Sequence, residues 1–135
     1  MKELPEKLSI LFVDDEDQAR ELTARMLRWK GLVVYSAEDG ETGLRLFKHH
    51  QPDIVVTDIM MPHMDGIEMS REVRRICSKT PIIIASAHIN ERHMVALRGI
   101  GVSSWIHKPI ELDCLVHEIA TCCEDAGILP RLPVI

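Results

Sequence analysis

Three carboxylates, a hydroxyl and an ammonium stand just beyond apolar runs in this chain of 135 residues. Asp14-Asp15 (with Glu16 next to them) follows LSILFV and Asp58 follows DIVVT, giving the three carboxylates; Ser86 follows PIIIA, and Lys108-Pro109 follows the run from Val102 to Ile106. In an open parallel sheet the C-terminal strand ends line the ligand crevice, so residues placed there meet at one edge. Carboxylates brought that close raise one another's pKa and destabilise the fold unless a cation intervenes. A hard divalent ion such as Mg²⁺ suits a few carboxylates together with waters and phosphate oxygens. The Lys108 ammonium can neutralise a carboxylate or phosphoryl oxygen as a point charge, and the Ser86 hydroxyl can donate to another. The chemistry indicated is that of a divalent cation and a phosphoryl group. Each residue alone has a plainer explanation: an acidic helix start for Asp14-Asp15, a turn residue for Ser86, a surface lysine before a helix-starting proline for Lys108. Those explanations do not account for the shared placement after apolar runs.

The elements that must position these residues read as five repeats of strand then helix. Strands are expected at Leu8–Val13, Leu32–Ser36, Asp53–Thr57, Pro81–Ala85 and Val102–Ile106. The first and fourth are continuously apolar, as strands covered on both faces are. Helical spacing predicts Asp17–Lys30 with Ala19, Leu22, Met26 and Leu27 inward, and Glu38–His50 with Leu44 and Phe47 inward. A third helix follows Asp65-Gly66, from Ile67 to about Cys77, with Ile67, Val73 and Ile76 as its apolar face. A weaker one spans Asn90–Ile100, and the last, Glu111–Glu124, carries Leu112, Leu115, Val116 and Ile119 on one stripe. Strands alternating with helices give an α/β fold, a doubly wound five-stranded parallel sheet with right-handed crossovers and helices on both faces. Residues 1–124 form one domain, and residues 125–135 (DAGILPRLPVI) read as a tail or the start of a linker, since two prolines stop a continuing helix.

Composition narrows the class. Hydrophobic residues make up 46% and charged ones 27%, which is globular. The net charge of −5 and the absence of a Lys/Arg run argue against nucleic acid or an anionic membrane as a direct partner, though a local basic patch remains open. Met1–Lys7 lacks the apolar core of a signal peptide, and no run reaches the roughly 18 apolar residues of a membrane span, so a cytoplasmic location is expected. Cys77, Cys114, Cys122 and Cys123 include no CxxC pair, which favours reduced thiols over structural zinc.

From Leu8 to about Cys123 the chain closely resembles the receiver domain of two-component response regulators. The resemblance rests on VDDE (Val13–Glu16), TDIMMPHMDG (Thr57–Gly66), IIIASA (Ile82–Ala87) and WIHKP (Trp105–Pro109), and on their spacing. It implies a (βα)5 fold with the flavodoxin-like strand order 2-1-3-4-5. It implies further that Asp58 accepts a phosphoryl group from a histidine kinase or histidine phosphotransfer protein. Asp15, Asp58 and the Met60 backbone carbonyl would bind Mg²⁺ (or Mn²⁺), and Asp14 would act on the metal through water. Lys108 and Ser86 would hold phosphoryl oxygens, while Ser86 and Trp105 act as the switch pair. Pro62 and Gly66 match the turn that shapes the loop after Asp58. The expected protein is a phosphoacceptor that assists its own modification rather than an enzyme with a separate substrate. Its fourth and fifth βα units would control an output domain, a downstream partner or a homodimer.

Some positions depart from that pattern. Trp105 stands where Tyr or Phe is usual, and an indole is larger and carries an N–H that wants a partner when buried. It either moves inward on activation or stays in place as a wedge against the fourth helix. Ser86 replaces the commoner Thr. Met60 and His88 are expected to flank the path of the water that removes the phosphoryl group. A flavodoxin-like nucleotide binder is disfavoured, because the first loop reads DDEDQ and would repel an anion. An aspartyl phosphatase is disfavoured because Asp58 is followed by Ile59 and Met60, with no acid two residues on. A receiver-like module that docks or dimerises without phosphorylation is the remaining alternative.

Overall fold

The computed structural model describes residues 4–5 and 7–128. Five strands, β1 (Ser9–Val13), β2 (Val33–Ala37), β3 (Ile54–Thr57), β4 (Ile82–Ser86) and β5 (Ser104–His107), alternate with five helices. These are α1 (Asp17–Trp29), α2 (Gly40–His50), α3 (Gly66–Ile76), α4 (Glu91–Ile100) and α5 (Leu112–Asp125). All strand pairs are parallel, in the order β2-β1-β3-β4-β5. The expected sheet and strand order are both present, with boundaries displaced by one or two residues. Asp125 belongs to α5 and not to the expected tail, and residues 129–135 of that tail lie outside the described residues.

Alternation along the central strands divides the core. Ile10, Phe12, Ile54, Val56, Ile83 and Ala85 point to the face covered by α1 and α5. Leu11, Val13, Val55, Ile82 and Ile84 point to the face covered by α2, α3 and α4. Side chains of period two therefore supply apolar surface to both layers, as a doubly covered parallel sheet requires. Cys122 and Cys123 lie in the first layer, where burial pushes their thiols up to about 11 and 12. Among the described residues all four cysteines are free, and none belongs to a metal-ligating cluster.

Helix starts are set by short polar side chains. Asp39, Asp65 and Asn90 each accept a hydrogen bond from a backbone N–H three residues on, at 2.7–2.8 Å, satisfying donors that the first turn leaves unpaired. Two expected inward residues face outward. Leu22 of α1 is 58% exposed, because its turn overhangs the crevice beyond the strand ends, and Ala24 takes the core position. Ile76 is 45% exposed as the last residue of α3, and Met69 and Ser70 fill the interior in its place.

Two glycines give opposite expectations. A Cβ on Gly66 would collide with the Asp58 backbone carbonyl, whereas one on Gly99, in the last turn of α4, would meet nothing within 4 Å. Gly66→Ala should cost about 3 kcal/mol or more, since the obstacle is backbone that cannot turn aside. Gly99→Ala should gain about 0.5 kcal/mol by removing chain entropy from the unfolded state. Urea denaturation of both variants checks the two signs; equal effects would contradict the packing described.

Candidate functional site

Register brings the carboxylates together. Val13 pairs with Thr57 across β1 and β3, so the residues that follow, Asp14 and Asp58, lie side by side. The Asp58 N–H donates to the Val13 carbonyl at 3.0 Å, and the Asp14 N–H to Ala37 at 3.0 Å. Both side chains are buried, while Asp15, one residue further out, is exposed. Helix α1 begins only at Asp17, so Asp14 and Asp15 are not its acidic first turn. The Asp14 Oδ1 instead accepts from the Glu16 N–H at 3.0 Å, and Arg20 reaches back to the Asp14 carbonyl at 2.8 Å.

Lys108 arrives from two strands away. Its backbone N–H donates to the Ser86 carbonyl at 3.1 Å, extending the β4–β5 ladder, and it precedes a cis bond to Pro109. The Nζ lies 2.7 Å from Asp58 Oδ2 and 2.8 Å from Asp14 Oδ2. Burial alone would pull this ammonium down, but the close approach and negative charge of Asp14 and Asp58 together hold it above the usual lysine value. The remaining Asp58 oxygen, Oδ1, accepts from the Ile59 N–H at 2.7 Å. Asp14 Oδ2 is buried without a well-directed hydrogen bond: the nearby ammonium supplies charge at short range but poor angle.

One carboxylate oxygen from each of Asp14, Asp15 and Asp58 lies within 4.8 Å of the others, a cluster that could hold a metal ion. Three carboxylates face one ammonium, so the group carries two formal negative charges in excess. An oxygen-only donor set, an under-bonded buried oxygen and surplus negative charge fit a hard divalent cation.

The other expected residues are placed less uniformly. Ser86 is buried at the end of β4, with its hydroxyl donating to the His88 carbonyl at 3.1 Å and not to Asp58. Trp105 is on β5 in register with Ile84 and is 39% exposed. Met60 is 66% exposed in the loop after Asp58, and the His88 side chain is exposed in the loop after β4. Beside the cluster runs a groove of about 520 Å³, reached from Asp14 and Lys108 and walled by Ala19, Leu22, Ala87, Pro109 and Ile110. Sequence reasoning left open which carboxylate Lys108 would neutralise, and it overlooked both Arg20 and the double pairing of Lys108 with Asp58 and Asp14. The placement of Arg20 six residues after Asp14, one turn into α1, was the available signal for the former.

The family model of the response regulator receiver domain matches residues 10–120. The chain is 36% identical over 104 residues to regulatory protein AtoC of Escherichia coli (strain K12), covering 77% of this chain and 23% of that protein. It is 37% identical over 132 residues to sensor protein EvgS of the same strain, covering 95% of this chain and 11% of that one. Among solved structures, chemotaxis protein CheY4 of Vibrio cholerae superposes with a TM-score of 0.80 at 25% identity, covering 84% of this chain and 97% of that one. The chain spans between 11% and 46% of the length of the first curated relatives it matches.

The Lys108 pairing carries a pH signature. Its folded pKa is raised, so its contribution is complete below the ordinary lysine value of 10.5 and fades as pH climbs through the higher folded value. Without Lys108 two buried carboxylates lose their counter-charge, and Lys108→Met should cost about 3 kcal/mol near neutral pH in EDTA. Urea titrations of wild type and variant should stay separated up to about pH 10 and converge above it. A gap independent of pH through that range would show that packing, and not charge, made the difference.

Proposed function

Because this chain belongs to the response regulator receiver domain family of two-component systems, we propose that it accepts a phosphoryl group on Asp58 from a phosphohistidine donor. The observation that carries this reading is the single position of Asp58, which touches Lys108 at 2.7 Å and shares the acidic cluster with Asp14 and Asp15. In the transfer, an Asp58 carboxylate oxygen forms a bond to phosphorus as the nitrogen–phosphorus bond of the donor breaks, and the electron pair leaves with the imidazole. Phosphoryl transfer is governed by positioning and charge neutralisation. Held by Asp15, Asp58 and the Met60 carbonyl, with Asp14 assisting, Mg²⁺ would offset charge on the equatorial oxygens. Lys108 moves from a carboxylate oxygen to a phosphoryl oxygen, and Ser86 turns its hydroxyl from His88 toward another. Hydrolysis reverses the modification: water attacks phosphorus and the Asp58 oxygen departs as carboxylate.

The apolar groove bounded by Ala19, Leu22, Pro109 and Ile110 opens directly at Asp14 and Lys108. It gives the donor a surface on which to present its histidine, which explains why Leu22 stays solvent-exposed. AtoC is a regulatory protein and EvgS a sensor protein; by analogy, this domain serves either within a longer regulator or as a relay step, switching the surface of its fourth and fifth βα units. Phosphorylation can act only through the free-energy difference it creates between two arrangements of that surface.

Incubation with a small-molecule phosphodonor and Mg²⁺, read by intact mass, should add one phosphoryl group. The gain should vanish in Asp58→Asn and in the presence of EDTA. An unmodified wild-type chain under these conditions would leave a docking module as the better reading. Met60, being exposed beside Asp58, should control approach of water. Replacing it with a smaller or polar residue should change the phosphoryl half-life several-fold, about 1 kcal/mol in the barrier, and an unchanged half-life would remove that role.

A further inference from the structure

A basic groove of about 410 Å³ separates α3 from α4, with Arg71, Arg74 and Arg75 on one side and Val95, Ala96 and Gly99 on the other. A second hollow of about 460 Å³ shares Arg71, Val95 and Ala96 and continues to Glu91 and Arg92. The arginines differ in what they are free to do. Arg74 is committed: its guanidinium donates to the carbonyls of Ile100, Gly101, Cys77 and Thr80, fixing the end of α4 to the end of α3. Arg75 is paired with Glu72 at 2.7 Å. Arg71 and Arg92 make no hydrogen bond or ion pair among the described residues. Between them Val95 is 71% exposed, on a helix that sends Leu97 into the core.

In a chain of net charge −5, two unpaired guanidinium groups bracketing an exposed apolar strip are complementary to carboxylates flanking an apolar side chain. Guanidinium forks bind carboxylates in bidentate fashion. An extended polyanion fits less well, since among the described residues lining the two hollows Arg74 and Arg75 are already engaged, leaving Arg71 and Arg92 to meet it. The Arg74 cross-link fixes the groove at the C-terminal end of α4, so little ordering is needed there on binding.

We infer that the α3–α4 groove binds an acidic amphipathic helix of a partner protein, with its apolar side chain on Val95 and Ala96 and its carboxylates on Arg71 and Arg92. This is the helix-in-groove mode of recognition. It is separate from the Asp58 cluster and does not depend on the phosphoacceptor reading.

The test is selection from a displayed library of helical peptides on the full chain, followed by fluorescence anisotropy with one enriched peptide made synthetically. Enriched sequences should place Asp or Glu on either side of Leu, Ile or Phe, and binding should weaken as salt is raised. The double variant R71E/R92E should weaken binding about tenfold or more, and V95E likewise. Both variants should keep the wild-type urea midpoint, which serves as the check on their fold. Enrichment without acidic residues, or affinity unchanged in R71E/R92E, overturns the inference. Tighter binding of a single-stranded RNA oligomer, of phosphatidylglycerol vesicles or of a second copy of this chain through the same arginines also overturns it.

Discussion

The Lys108 ammonium, seated between Asp14 and Asp58, is the interaction on which this edge of the sheet depends. β1 and β3 are neighbours, so their terminal carboxylates are forced together by register alone, in surroundings that exclude most water. Burying two like charges side by side is unfavourable unless an opposite charge arrives with them. That charge comes from β5, which contacts neither strand and reaches the pair across the end of β4. Completion of the acidic site therefore requires the last strand to be docked, and the most local feature of the site is tied to the least local part of the fold.

The same constraint explains the surplus charge. One ammonium cannot neutralise three carboxylates, and Asp15 stays solvated at the rim while Asp14 and Asp58 are covered. The surplus negative charge is the property of this cluster that would attract a hard divalent cation. Asp14 Oδ2 illustrates the compromise: it is held by charge at 2.8 Å but lacks a directed donor.

Much of this was legible before any coordinates. Continuous apolar runs such as LSILFV and PIIIA specify strands covered on both faces, and residues that end them specify the edge where chemistry gathers. Asp14, Asp15, Asp58 and Lys108 are brought together at that edge. What sequence periodicity could not resolve was the orientation of residues where an element runs past its support. Leu22 obeys helical spacing but overhangs the crevice, and Ile76 obeys it at a helix end with no sheet beneath. The Ser86 rotamer was equally hidden, because a hydroxyl beside an ionised cluster has several acceptors, and here it takes the carbonyl of His88. Arg74 escaped notice because its partners are backbone carbonyls, which leave no trace in side-chain patterns.

These last two residues define how the site can communicate with α4. The segment from Ser86 to Asn90 is short, begins with the hydroxyl bound to His88, and ends at the cap of α4, where Asn90 accepts from the His93 N–H. Any group that draws the Ser86 hydroxyl toward Asp58 must break the His88 bond and release strain or slack into four residues. At the opposite end, Arg74 fastens the α4 carbonyls of Ile100 and Gly101 to α3. α4 is thus tied to α3 at its C-terminal end by side-chain bonds, and its N-terminal end follows directly on the short segment after Ser86. Trp105, on the neighbouring strand opposite Ile84 and so two residues short of the level of Ser86, is partly open to solvent. Packed side chains take up discrete arrangements and do not deform continuously, so a segment held at both ends in this way has few alternatives to the one observed.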